Sequence, residues 1–233
     1  AQQNDKLALI AIDRSGQHIT HYHYSDLERE SNRFANALLD LGVRKGDAVL
    51  VVLPRIPQWY FLLLGCAKIG AIAMPGTNQL KAKDLEYRIN RSGASVAIVG
   101  PMHAEPIESI ASVCPTLKHR ILVGQDKMGW HHFESLCAAQ PPQMDRQRIT
   151  PTRSEETMLI YFTSGTTSLP KMVERDHAYA LAHSITGRYW QDLRESDVHW
   201  TLTDTGWAKA AWGLLYPPLT AGSTIVLLSL IHI

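Results

Sequence analysis

The stretch Ala48-Val49-Leu50-Val51-Val52-Leu53 decides the fold class of this chain. It carries no charge, it is too short for a helix, and Pro54 ends it, as expected for a strand buried on both faces of a sheet. Upstream, Ser25 and Glu28 have the spacing of a capping box, and apolar residues then recur at helical intervals until Gly42. A helix followed by such a strand is typical of an α/β fold.

The same alternation continues along the chain. Helices are predicted near residues 58–69 and 83–90, and strands near residues 96–99, 121–123 and 158–162. Because strands and helices follow one another throughout, the sequence predicts an α/β architecture.

Composition excludes several classes of protein. The chain has 233 residues, with 23 Lys and Arg against 22 Asp and Glu, so its net charge of +1 predicts no nucleic-acid partner. Its most apolar window, Trp59 to Met74, contains Lys68 and is shorter than the about 20 residues that cross a bilayer, so a buried helix and no membrane span are predicted. Three widely spaced cysteines argue against a disulfide framework.

Residues 140–157 contain three prolines and little apolar content, and they are predicted to form a linker. It would separate a first, partial α/β subdomain (residues 1–139) from the start of a second (residues 158–228). The run from Ile225 to Ile233 is apolar and ends without a turn or cap, which predicts a bare strand. Residues 229–233 are therefore expected to be a truncated or foreign tail.

Histidines are numerous but do not specify a metal site. His18, His21 and His23 alternate along a probable strand, and His131 and His132 are assigned to a helix with the following phenylalanine. Two histidines on one face of a strand do not make a metal site, so both groups are interpreted as solvated, and the metal ligands stay unknown.

The densest polar segment follows the strand at residues 158–162. It consists of Thr163, Ser164, Gly165, Thr166, Thr167 and Ser168, and Lys171 closes it. Hydroxyls and turn amides can donate to phosphate oxygens, Gly165 permits close approach of the backbone, and Lys171 adds a positive charge. A solvated Ser/Thr turn is the alternative interpretation. The spacing excludes a Walker P-loop, and the chain has no G-x-G-x-x-G, G-x-S-x-G or H-E-x-x-H motif.

Residues 161–171, Tyr-Phe-Thr-Ser-Gly-Thr-Thr-Ser-Leu-Pro-Lys, resemble the phosphate-binding signature of the adenylate-forming, AMP-producing acyl-CoA synthetases. Gly-Arg-Tyr-Trp at residues 187–190 and Asp-Thr-Gly-Trp at residues 204–207 look most like the medium-chain acyl-CoA synthetases. The resemblance covers roughly Thr20 to Leu228. It implies part of the large N-terminal domain of such an enzyme, with layered sheets flanked by helices and without the C-terminal domain.

The resemblance also implies roles for particular residues. Thr163 to Ser168 and Lys171 would bind the phosphates of ATP, although Ser168 stands where the family usually has a second glycine. Thr205, Gly206 and Trp207 would border the acyl pocket, with Trp207 as a wall and Gly206 leaving room for the substrate. Trp200 is expected to pack in the core.

The implied activity is activation of a medium-chain fatty or aromatic carboxylic acid to acyl-AMP and then acyl-CoA, with release of pyrophosphate and AMP. ATP, Mg²⁺ and CoA as a substrate would take part. No catalytic set is complete between Lys171 and Ile233, so the chain is expected to be inactive alone. A location in the bacterial cytoplasm or the mitochondrial matrix is implied, and the oligomeric state stays open. The alternatives are a non-catalytic nucleotide- or acyl-binding module and another adenylate-forming enzyme, such as a peptide-synthetase adenylation domain.

Overall fold

The computed structural model describes residues 6–13, 15–163 and 169–228. The strands in these ranges are β1 (Leu7–Ile12), β2 (Ile19–His23), β3 (Ala48–Val52), β4 (Ile72–Pro75), β5 (Val96–Val99), β6 (His119–Leu122), β7 (His131–His132), β8 (Thr157–Thr163), β9 (Lys171–Asp176), β10 (Val198–His199) and β11 (Thr224–Leu228). The α-helices are α1 (Tyr24–Asp40), α2 (Pro57–Ile69), α3 (Ala82–Ser92), α4 (Ala104–Ile110), α5 (Phe133–Ala138), α6 (Ala178–Tyr189), α7 (Ala208–Ala210) and α8 (Tyr216–Ala221). A π-helix, Ala211–Leu215, connects α7 to α8.

The strands form two sheets. The larger has the order β7-β6-β5-β3-β4-β8-β9, and all its neighbours are parallel except β9, which is antiparallel to β8. The smaller has the order β10-β11-β1-β2, with β2 antiparallel to β1. The predicted α/β class with layered sheets and flanking helices is confirmed.

Two apolar clusters cover the two faces of the larger sheet. In β3 all five residues are buried, because Val49 and Val51 belong to one cluster while Leu50 and Val52 belong to the other. The first cluster contains residues of α1 and α2, and the second contains residues of α3 and α4. A parallel strand with both faces covered has the valine-rich sequence from which it was predicted.

The predicted positions of the helices agree with the structure better than the predicted helix caps do. The helix predicted near residues 58–69 is α2, with Pro57 in its first turn and Gly70 in the left-handed region at its end. The predicted capping box at Ser25 is wrong, because α1 begins at Tyr24, directly after β2. Its capping box joins His23 to Asp26, whose carboxylate accepts the His23 N–H at 2.7 Å. Among the described helices, none combines the length and apolarity needed to cross a bilayer.

The secondary structure predicted for the two groups of histidines is wrong for one group. His131 and His132 form strand β7 at the sheet edge, and α5 begins after them, so their assignment to a helix is wrong. His21 and His23 lie in β2, as the alternation predicted. In the described ranges, no three His, Cys, Asp or Glu residues are grouped to hold a metal ion. Cys66, Cys114 and Cys137 are buried and free.

The strand near the C-terminus is not bare. β11 lies between β10 and β1, its neighbours in the smaller sheet, and Ile225 is fully buried, so the expectation of an unpartnered strand is wrong for residues 225–228. Residues 229–233 lie outside the described residues. The boundaries of the predicted subdomains stay a prediction, although strands from both sides of residues 140–157 share each sheet.

Candidate active site

A cavity of about 550 Å³ opens at the carboxyl ends of two neighbouring parallel strands, β4 and β8. Its wall consists of residues 75–77 at the end of β4 and just beyond it, residues 161–163 at the end of β8, Pro170, residues 206–209, and Arg88 of α3. In open α/β sheets ligands bind outside the carboxyl ends of the strands. The cavity therefore lies where this fold places a binding site.

The predicted phosphate-binding segment begins at this cavity. Thr163 ends β8 and lines the wall, and it pairs with Lys171 at the start of the antiparallel β9. Ser164, Gly165, Thr166, Thr167 and Ser168 lie outside the described residues. Both flanks of the segment are therefore held in register at the edge of the sheet, and the exposed Lys171 stands at the second flank.

Helix α3 braces both flanks of this segment. The Tyr87 hydroxyl donates to the carbonyl oxygen of Pro170 at 3.0 Å, and the Tyr87 ring meets the Phe162 ring edge-on at a centroid distance of 5.9 Å. Phe162 precedes the segment and Pro170 follows it. Tyr87 is not predictable as a site residue from the sequence, because an aromatic residue in an amphipathic helix carries no signal that separates it from core packing.

Arg88, the next residue of α3, contributes a positive charge to the wall. Its guanidinium carbon lies 5.1 Å from the centroid of the Phe162 ring, and its Nη1 donates to the Asp84 carbonyl oxygen at 3.1 Å. Burial lowers the pKa of Arg88, opposed by the nearby charge of Asp84. Arg88 takes part in none of the ion pairs formed by the described residues.

The turn that carries Trp207 is held by Asp204. One Asp204 carboxylate oxygen accepts the N–H of Gly206 at 2.8 Å, and the Asp204 carbonyl oxygen accepts the N–H of Trp207 at 3.2 Å. Such a turn is what an Asp side chain favours. Trp207 lines the cavity with 61% of its surface exposed, so its indole is available to a ligand there.

Gly206 and Thr205 hold this turn against the sheet. A Cβ on Gly206 would overlap backbone atoms of Gly76 and Thr77, so the glycine permits close approach of two wall segments. Thr205 is buried, its hydroxyl donates to the Leu53 carbonyl oxygen, and it is not part of the cavity wall. Of the three residues assigned to the acyl pocket, Gly206 and Trp207 line the cavity and Thr205 anchors the turn.

The segment before this turn is tied to the π-helix. The Gly213 carbonyl oxygen accepts hydrogen bonds from His199 Nε2 at 2.8 Å and Thr201 Oγ1 at 3.0 Å, and the Leu214 carbonyl oxygen accepts one from the Tyr60 hydroxyl at 3.2 Å. A π-helix frees carbonyls from the usual ladder, and side chains satisfy them here. Trp200 follows the edge strand β10 and is 52% exposed, so its assignment to the core is wrong.

The chain is similar in sequence to acyl-coenzyme A synthetases. It is 38% identical over 206 residues to the mitochondrial acyl-coenzyme A synthetase ACSM5 of Mus musculus, covering 87% of this chain and 35% of that protein. It is 35% identical over 217 residues to the mitochondrial ACSM3 of Homo sapiens, covering 92% of this chain and 36% of that protein. The chain thus spans little more than a third of the length of these relatives.

Two solved structures have a similar fold. The anthranilate CoA ligase AuaEII, in complex with anthranoyl-AMP, matches with a TM-score of 0.90 at 28% identity, over 98% of this chain and 43% of that one. The Brucella canis acyl-CoA synthetase matches with a TM-score of 0.87 at 26% identity, over 98% of this chain and 41% of that one. A family model described as AMP-binding enzyme matches residues 1–231, and the chain therefore belongs to the AMP-binding enzyme family.

Proposed function

We propose that the protein carrying this chain activates a medium-chain fatty or aromatic carboxylic acid in two steps. A carboxylate oxygen attacks the α-phosphorus of ATP, so that acyl-AMP forms and pyrophosphate leaves. The thiol of CoA then attacks the acyl carbon, loses its proton and displaces AMP, which gives acyl-CoA. The observation that carries this proposal is the cavity that is lined both by Thr163, the first residue of the hydroxyl segment, and by Trp207.

The residues around the cavity suit the two parts of the reaction. The hydroxyl segment from Thr163 to Ser168 offers donors for the departing phosphates, and Lys171, which closes it, offers a cation where charge develops in the transition state. Trp207, Phe162 and Pro75 provide apolar wall for an acyl chain or an aromatic ring. A volume of about 550 Å³ is within the range of about 300 to 1,000 Å³ that is usual for small-molecule sites.

Magnesium enters this proposal as part of the nucleotide substrate. In the described ranges no cluster of acidic or histidine side chains offers an all-protein metal cage. Mg²⁺ commonly binds through substrate phosphates with only one or two carboxylates, so a MgATP complex fits such a site. Bound to the phosphates, the ion would supply positive charge for the leaving pyrophosphate. The mitochondrial relatives favour a location in the mitochondrial matrix if the source is a eukaryote.

The test is acid-dependent exchange of labelled pyrophosphate into ATP by the protein expressed from the complete reading frame. Octanoate and benzoate should support exchange, and acyl-CoA should appear by mass spectrometry when CoA is added. Lys171→Ala and Thr166→Ala should each slow exchange, because each removes a contact to the leaving group. The activation free energy should rise by about 2–4 kcal/mol in each variant. Lys83→Ala, at an exposed position of α3, is the control and should leave exchange unchanged.

The outcomes also separate the alternative functions. A protein that binds ATP but catalyses no exchange with any acid would be a non-catalytic binding module, and the proposal would fail. Exchange that depends on amino acids alone would indicate a peptide-synthetase type of adenylation. Trapping of the adenylate with hydroxylamine over a panel of acids would identify which class is used.

A further inference from the structure

The charges on the cavity wall are of one sign. Among the described residues of the wall, Arg88 and Lys209 are cationic and none is Asp or Glu. Lys209 is exposed at the rim, whereas Arg88 is partly buried beside Phe162. A cavity lined by one sign of charge, with apolar walls, raises the local concentration of ions of the opposite sign. The wall therefore favours an anionic ligand.

Arg88 keeps hydrogen-bond donors available to a ligand within the described part of the chain. A guanidinium has five N–H donors and stays protonated in proteins. Within the described residues, Arg88 donates one hydrogen bond, to the Asp84 carbonyl oxygen. The Asp84 carboxylate is engaged in capping α3, where it accepts the N–H of Lys81 at 3.0 Å. Removing a cation from water is unfavourable unless hydrogen bonds and an opposite charge replace the lost hydration. Contact with the Phe162 ring supplies only part of that replacement.

We propose that Arg88 binds a phosphoryl anion in this cavity, next to the hydroxyl segment. Arg88 contacts Phe162, the residue before Thr163, and its helix neighbour Tyr87 bonds to Pro170 beyond the segment. The planar guanidinium matches two phosphate oxygens at once. This inference rests on the proposed function, which supplies two sources of such an anion: the β- and γ-phosphates of ATP, and the phosphates of CoA.

Binding measurements on the protein expressed from the complete reading frame test the assignment. Calorimetry would compare inorganic pyrophosphate, ATP and CoA as probes of the parent, Arg88→Gln, Arg88→Lys and Arg91→Gln. Arg91 is a matched control because it lies on the same helix in an exposed position and its replacement removes the same charge. Arg88→Gln should weaken binding of at least one probe about 10- to 100-fold, as for a lost hydrogen-bonded charge pair. The Kd of Arg88→Lys should lie between those of the parent and Arg88→Gln. The Kd of Arg91→Gln should stay within about twofold of that of the parent.

Each result has a defined meaning. If the substitution weakens binding of pyrophosphate and ATP alone, Arg88 is assigned to the triphosphate. If it weakens binding of CoA alone and leaves binding of dephospho-CoA unchanged, Arg88 is assigned to the CoA 3′-phosphate. Unchanged binding of all probes, or equal losses in Arg88→Gln and Arg91→Gln, overturns the inference. Circular dichroism of every variant verifies folding, and Arg88→Lys decides the question if Arg88→Gln is unfolded.

The two proposals can fail separately. Pyrophosphate binding needs no acid, so a protein that binds it through Arg88 but catalyses no acid-dependent exchange refutes the proposed function and leaves the anion site standing. Conversely, parental Kd values for the probes and a parental KM for ATP in Arg88→Gln, with exchange intact, refute the anion site alone.

Discussion

Replacing Gly206 with alanine tests how the cavity is assembled. The added methyl group would overlap the backbone of Gly76 and Thr77, so the turn that carries Trp207 or the chain after β4 has to move. Backbone yields less readily than the end of a side chain, and overpacking of this kind costs about 1–3 kcal/mol. Each kcal/mol lowers the melting temperature of a chain of this size by about 2–4 °C, so we expect a fall of roughly 2–12 °C.

Gly213→Ala is the matched control for this substitution. A methyl group there meets the Thr201 Cγ2 atom at 3.4 Å, which is ordinary contact, and Gly213 lies in the π-helix, where alanine is intrinsically favoured over glycine. Urea titrations followed by circular dichroism would give the free energy of unfolding of both variants. If Gly206→Ala unfolds at the same urea concentration as the parent, the two wall segments do not approach as described, and the reasoning is refuted.

Three further predictions concern single side chains. Tyr87→Phe removes the bond to Pro170 but keeps the ring, so it should raise the KM for ATP more than it lowers kcat in pyrophosphate exchange; an unchanged KM would contradict the bracing role, and Tyr189→Phe, at an exposed position, is the control. Trp207→Ala should change the relative kcat/KM among acids of different chain length, whereas Trp200→Ala, outside the cavity wall, should not; a uniform fall for every acid would make Trp207 structural. Burial lowers the pKa of Lys68 from 10.5 to about 8, so between these values the unfolded chain binds a proton that the folded chain has released, and folding becomes more favourable as pH rises. Urea titrations from pH 8 to 9.5 should show the parent gaining up to about 1.4 kcal/mol per pH unit relative to Lys68→Met, and parallel pH profiles would refute the shift.

The parts of the fold that were predictable are those whose cause is local. The composition of residues 48–53 indicates burial on both faces, and the spacing of apolar residues between Leu27 and Leu39 indicates α1, because each pattern follows from contacts of that element alone. The partner of β11 could not be found this way, since Leu9 and Ile225 pair across more than two hundred residues of sequence. The cap of α1 was misplaced for a related reason: β2 runs directly into the helix, so Asp26 rather than Glu28 meets the first free amide.

The candidate site shows the same division. Thr163, Lys171 and Trp207 stand in motifs that are recognisable from the order of residues, but Arg88 and Tyr87 do not. Leu85 and Ile89 are four residues apart and bury one face of α3, so the residues between them are assigned to solvent by periodicity alone.

The face of α3 that periodicity assigns to solvent instead meets the end of β8, and this couples the core to the site. Leu85 and Ile89 fix the position of α3 in the same apolar cluster that Phe162 packs against. Tyr87 and Arg88 then reach Pro170 and the Phe162 ring from that fixed helix. A change in the packing of Leu85 or Ile89 therefore shifts the groups at both flanks of the hydroxyl segment, although neither residue lines the cavity. Loss of ligand binding after a core substitution in α3 is thus expected from this geometry, since the helix is a structural and a site element at once.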